Sequence, residues 1–313
     1  MDTRDRVCLA QVLRTPAFGR TRRPRPMWTL DEYLSELELP PGSNVAVLTL
    51  LGSLCPITRG HVSAFTQARA MLLDEQTGTK RPANLEKFEA VIGLISPNKY
   101  VYVQRKLEQK GQPVLMSNDR DYLCELAITD YPWLNLVAHE GLEPGMRVTD
   151  HPPANIAELR NRWPSLCFQH FVLSGADDVL RFSKYTWYAE CDAEGKRYES
   201  GRMICLGRPG FTETVIKQAT ECGIDLDNGN FIMGPELPDI SSTDARIALN
   251  QGDTKKVLSI LEPKVSAWCI KYGPWQPVGR TGVRIKELSI IVIGLSFIVY
   301  IMINIVINRN WEY

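Results

Sequence analysis

The chain has few of the residues from which metal and redox sites are built. Only four of its 313 residues are histidine, and its eight cysteines, at 8, 55, 124, 167, 191, 205, 222 and 269, include no C-x-x-C pair. Such spacing argues against a zinc site or a disulfide framework and reads as reduced thiols. Neither sign of charge dominates, with 36 Lys and Arg against 36 Asp and Glu. Bulk electrostatics therefore gives no case for nucleic acid as a partner. The sequence also lacks a G-x-x-x-x-G-K-[ST] loop, an internal repeat and a secretory apolar region at its start.

One stretch lacks charge altogether. Residues 288–307 read LSIIVIGLSFIVYIMINIVI, with Asn304 as the one amide. As a helix this run would be about 30 Å long, the thickness of a bilayer's hydrocarbon core. Arg280, Arg284 and Lys286 precede it and Arg309 follows. The expectation is a single transmembrane helix at 288–307 with a short tail at 308–313. It would be tail-anchored in lipid with the large N-terminal part facing the cytosol, on the endoplasmic reticulum or the outer mitochondrial membrane. Residues 276–287 would be a polar linker. At the other end, residues 1–43 carry seven arginines, interrupted by prolines at 16, 24 and 26. They are expected to form a mobile basic arm.

Between the ends, apolar runs alternate with helical spacing. VAVLTLL (45–51), AVIGLIS (90–96), LNLVAH (134–139), CFQHFVLSG (167–175), RMICLG (202–207) and NFIMG (230–234) read as strands. HVSAFTQARAMLL (61–73), SNDRDYLCELAITDY (117–131), NIAELRNRW (155–163), TETVIKQATEC (212–222) and STDARIALNQG (242–252) read as helices. Ser117 or Asn118 is the expected N-cap of the second of these, and Gly252 the stop of the last. Residues 255–273 read as two helical pieces broken at Pro263. This alternation predicts a parallel sheet covered on both faces, with a ligand beyond the carboxyl ends of the strands. Four polar stretches fall at that edge: GSLCPITRGH (52–61), SGAD (174–177), GRPG (207–210) and DISSTDAR (239–246).

The tetrapeptide TRGH at 58–61 resembles the [HT]-x-G-H signature of the nucleotidyltransferase superfamily. With ISSTDAR at 240–246, and with LISPNKYVY, YPWLNLVAHE, LSGADD and ICLGRPG in order between them, the chain resembles the nicotinamide/nicotinate mononucleotide adenylyltransferases from about Val45 to Trp275. The resemblance implies an α/β fold, a Rossmann-like doubly wound parallel sheet spanning residues 44–275. It implies transfer of an adenylyl group from ATP to a pyridine mononucleotide, with Mg²⁺ arriving on the ATP. It assigns Thr58, His61 and Arg246 to catalysis, and Gly52, Ser53, Ser241, Ser242, Thr243 and Arg208 to ATP and phosphate. Gly175 and Asp177 would meet sugar. Trp187, His139 and Glu140 would form the pyridine pocket, with a core position as the alternative reading of Trp187.

The chemistry suits those residue types. A phosphate monoester has a second pKa near 6, so it is already a nucleophile at neutral pH. The site must align two anions and stabilise charge on departing pyrophosphate. Glycines that admit close approach, helix N-termini and a few donors suffice. Departures from the family's pattern leave two alternatives open. Leu54 and Cys55 stand where Phe-Asn is usual. Val103 and Gln104 follow Tyr102 where a lysine is usual, so Arg105 or Lys106 would have to replace it. The alternatives are a nucleotidyltransferase with another phosphate acceptor and a nucleotide-binding scaffold without turnover. No metal-binding residue set is expected, and the amide or acid form of the pyridine and the oligomeric state are not fixed.

Overall fold

The computed structural model describes residues 29–75, 81–137, 151–193 and 201–277. Six strands form one sheet: β1 (Asn44–Gly52), β2 (Ala90–Pro97), β3 (Leu134–Leu136), β4 (Cys167–Gly175), β5 (Arg202–Gly207) and β6 (Phe231–Glu236). Their order is β3-β2-β1-β4-β5-β6, and every pairing is parallel. The fold is thus the doubly wound, Rossmann-like α/β sheet that the alternation predicts. The chain runs outward from β1 through β2 to β3, then returns to the other side of β1 for β4 to β6. The loops leaving β1 and β4 therefore part in opposite directions, the switch point at which open α/β sheets bind ligands.

Both faces of the sheet are covered, which is why the strands read as continuous apolar runs. Ala46 and Leu48 of β1 pack in one core with Val62, Phe65 and Ala68 of helix α2 (Arg59–Leu72). Val45 and Val47, pointing the other way, pack with Leu34 of α1 (Leu30–Glu36). Packing on the α2 face is close at Gly93 of β2. A Cβ there would lie 2.2 Å from Leu134 and 2.8 Å from Phe65. Gly93→Ala is expected to cost about 1–3 kcal/mol by overpacking, read as a lowered midpoint in urea.

The remaining helices are α3 (Tyr100–Glu108), α4 (Ser117–Ile128), α5 (His151–Arg162), α6 (Ala176–Arg181), α7 (Tyr185–Ala193), α8 (Thr212–Glu221), α9 (Ser242–Gln251), α10 (Thr254–Ile260) and α11 (Pro263–Tyr272). Gly252 ends α9 in the left-handed region, with φ 72°, and Pro263 opens α11, as the sequence indicates. The N-cap of α4 is Met116, with Ser117 already inside the helix.

Two further expectations change. Residues 29–36 lie in the stretch read as a basic arm, yet they form a capped helix. Thr29 and Glu32 exchange hydrogen bonds across its first turn, and Leu34 is buried. The expected transmembrane helix, with the tail-anchored, lipid-bound placement facing the cytosol, is corrected. Among the described residues no helix is long and apolar enough to cross a membrane. The longest, α2, has 14 residues, about 21 Å against a hydrocarbon core of about 30 Å. The apolar run 288–307 lies outside the described residues, whose architecture is the α/β sheet and its helices. Trp275 is buried and Gln276 hydrogen-bonds the end of α11, so both residues pack as part of the domain.

Candidate functional site

The loop from β1 to α2 leaves the carboxyl edge of the sheet at the point where the strand order reverses. Gly52 closes β1, and its carbonyl accepts the Asn98 N–H at 2.7 Å. Leu54, Cys55 and Ile57 turn inward and are buried, which fixes the loop against the core. Thr58 is the N-cap of α2. Its backbone N–H donates to His61 Nδ1 at 3.0 Å, and its hydroxyl lies 2.8 Å from the same nitrogen. A backbone N–H can only donate, so Nδ1 accepts and the neutral ring carries its proton on Nε2. Burial pushes the His61 pKa down from 6.5 to about 4. The imidazole is therefore neutral at physiological pH. It presents one N–H at a helix N-terminus, where the backbone dipoles already favour an anion.

Two cations converge on Ser53. Lys106 of α3 reaches its hydroxyl, Nζ to Oγ 3.3 Å, and Arg120 of α4 donates from Nη1 to its carbonyl at 3.1 Å. Among the described residues neither cation has a carboxylate partner within salt-bridge distance. Arg105, the other candidate for the missing lysine, is exposed. The phase of α3 decides between them. Val103 and Leu107 face the core, and Lys106 lies beside them while Arg105 points away. Burial lowers the Lys106 pKa, and nearby Lys110 and Arg181 add to the effect.

The start of α9 abuts this loop, although it lies far along the chain. Ser242 Oγ donates to the Pro56 carbonyl at 2.8 Å, and Arg246 Nη1 to the Cys55 carbonyl at 2.8 Å. A Cβ on Gly60 would touch the Ile240 carbonyl at 3.4 Å. Thr58, His61 and Arg246 thus share one corner of the molecule. Arg246 is buried and also donates to Gln112 Oε1 at 2.8 Å and to Thr243 Oγ1 at 3.0 Å. Ser241 caps α9 by accepting the Asp244 N–H at 3.1 Å, and its hydroxyl bonds the Asp244 carboxylate. The hydroxyls of Ser241, Ser242 and Thr243 therefore already have protein partners.

At the β4 and β5 ends the structure reveals a lock. Arg208 donates to Asp177 Oδ2 at 2.9 Å, and through Nε and Nη2 to Asp239 Oδ1 at 3.0 and 2.7 Å. An anion taken by Arg208 must compete with two carboxylates, and Asp177 meets a sugar only beside that guanidinium. Gly175 makes room for the arrangement, since a Cβ there would lie 2.8 Å from Asp177 Oδ1. Lys184 bonds Asp178 and the Ser174 hydroxyl. Trp187 on α7 is 42% exposed, which removes the reading of it as a core residue. His139 and Glu140 lie outside the described residues.

The sequence motifs leave Lys106 and Arg105 as alternatives and give no role to Arg120, Gln112 or Asp239. Arg120 had a signal. It occupies the same helical stripe as Leu123, Cys124 and Ala127, where an arginine is out of place.

No family model and no curated protein matches the chain. Two solved structures of Plasmodium falciparum nicotinic acid mononucleotide adenylyltransferase, one complexed with APC and one with NaAD, are similar to it. Each aligns over 74% of this chain and 97% of its own, at 14% identity and a TM-score of 0.42. Likeness at that level leaves any reading of activity to rest on the residues themselves.

Proposed function

We propose that the chain is an adenylyltransferase joining ATP to nicotinamide or nicotinate mononucleotide, with release of pyrophosphate. The observation that carries this reading is the Thr58–His61 pair. It holds a neutral imidazole with its Nε2–H as donor at the start of α2, beside the abutting start of α9. A neutral donor fits this chemistry better than a base, because the attacking phosphate is already ionised. ATP phosphates would lie along the two helix starts. His61 would donate to the phosphate oxygens that gain charge as pyrophosphate leaves. Ser53 and Lys106 would hold the acceptor phosphate, with Lys106 taking the part of the family's missing lysine. Trp187 would offer a flat face to the pyridine.

Among the described residues no three His, Cys, Asp or Glu side chains gather to hold an ion. Mg²⁺ would be held by the phosphate oxygens of ATP, where it would neutralise charge between the two reacting anions.

The test is a panel of phosphate acceptors with ATP and the full-length chain, following pyrophosphate release. Dinucleotide formed only from a pyridine mononucleotide supports the reading. Release with another acceptor alone transfers it to a sister nucleotidyltransferase. ATP binding with no release for any acceptor makes the chain a scaffold. Lys106→Met is expected to raise KM for the mononucleotide roughly tenfold to a hundredfold, with KM for ATP little changed. Arg105→Met is expected to leave both alone.

A further inference from the structure

Arg120 is the most anomalous side chain in the described structure. It is fully buried, and its one hydrogen bond runs from Nη1 to the Ser53 carbonyl. Its Nε and Nη2 are buried with no partner. Asp121 attracts it through space without a hydrogen bond. The neighbouring thiols do not offset its charge, because burial raises the pKa of both Cys55 and Cys124 and keeps them neutral. A buried guanidinium so poorly satisfied is a cost to the fold, and an apolar side chain of similar size generally serves stability as well or better.

Its position gives it a use. The Ser53 carbonyl belongs to the peptide that joins Ser53 to Leu54. Leu54 sits in the left-handed region, with φ 42°, which disfavours a residue with a side chain. Arg120 of α4 holds that peptide by its carbonyl, while Lys106 of α3 reaches the Ser53 hydroxyl. One serine thus stands between two cations that lack carboxylate partners within salt-bridge distance among the described residues. In a water-poor setting such charges act over several ångströms.

We propose that Arg120 is a positioning residue that fixes the Ser53–Leu54 peptide and makes the Ser53–Lys106 corner selective for a doubly charged phosphate. The inference rests on the reading of that corner as the acceptor-phosphate site. Arg120 does not touch the ligand. It sets the backbone that does, and its charge favours a dianion over a neutral group at Ser53.

The experiment compares the full-length chain with its Arg120→Met, Arg120→Gln and Lys106→Met variants. Calorimetry measures binding of nicotinate mononucleotide and of the corresponding nucleoside, which lacks the phosphate, and thermal unfolding is followed alongside. Arg120→Met is expected to unfold at the same temperature as the parent or higher. It should bind the mononucleotide about tenfold more weakly, with nucleoside binding unchanged. Arg120→Gln, which keeps a donor and loses the charge, should show the same selective loss and decides the matter if the Met variant does not fold. If Lys106→Met weakens the mononucleotide while the Arg120 variant bears parental affinity, Arg120 only packs, and the inference falls while the acceptor site stands. Equal losses for mononucleotide and nucleoside overturn it as well. If the parent binds no mononucleotide, the site reading and the inference fall together.

Discussion

His61→Ala is expected to lower turnover by about 10²–10³-fold, the usual loss when one donor to a developing negative charge is removed. The fold should survive. His61 is only partly buried, and its ring bonds the residue three positions before it, so no distant element depends on it. The loss should fall on kcat rather than on KM for either substrate, because the donor is needed most when pyrophosphate begins to carry charge. His61→Gln, which restores a neutral N–H, should recover part of the rate. A variant with near-parental turnover would take the imidazole out of the mechanism.

The same residue makes a prediction in pH. Its pKa in the folded chain is about 4 against an ordinary 6.5. A histidine depressed in this way contributes stability that is fully present above about pH 6.5. That contribution is lost as pH falls through about 4, because the unfolded chain takes up the proton first. A carbon-13 titration should therefore show one imidazole resonance that is unprotonated at pH 6 and turns near pH 4, with its shifts reporting a proton on Nε2. That resonance should vanish in His61→Ala.

Arg246→Ala should act on the fold as much as on turnover. Three of the five N–H groups of the guanidinium are committed to protein: to the Cys55 carbonyl, to Gln112 and to Thr243. These bonds tie the β1–α2 loop, the α3–α4 connection and the start of α9 into one corner. Alanine would leave the Cys55 carbonyl and the Gln112 amide in a buried corner without their donor. The expected cost is about 3 kcal/mol, which for a domain of this size lowers Tm by roughly 6–12 °C. Turnover should fall too, since the α2 and α9 starts would lose their alignment. Arg246→Lys, able to replace one of the three bonds, should lie between. Loss of turnover at an unchanged Tm would mean that the guanidinium serves substrate alone. Loss of both is what a joint holding the site together must show.

The parts of the site that were legible in the sequence are local. Thr58 and His61 stand three apart at the first turn of α2, and helix geometry alone brings them together. Ser241 and Asp244 repeat that spacing at the start of α9, and Gly252 and Pro263 punctuate the chain by their backbone limits. The choice between Arg105 and Lys106 was not legible. It depends on the phase of α3, whose segment YVYVQRKLE is not among the helices that the sequence predicts. Nor was the engagement of Arg208 by Asp177 and Asp239, which brings together residues that follow three different strands. The apolar run at 288–307 was read from hydropathy alone. Hydropathy records the preference of a segment for a dry environment, not the element it joins.

The sequence by itself determined that this chain builds a parallel sheet with polar loops at one edge. Apolar runs of strand length, spaced by helices, have few other ways to bury both faces. It also placed Thr58 at the start of α2 and the Ser241–Ser242 pair at the start of α9. Only the tertiary structure decided that the start of α9 closes on a loop 191 residues earlier, and that two cations from α3 and α4 meet at Ser53. Those juxtapositions follow from strand order and helix phase. They are properties of the whole packed chain, and no stretch of sequence carries them alone.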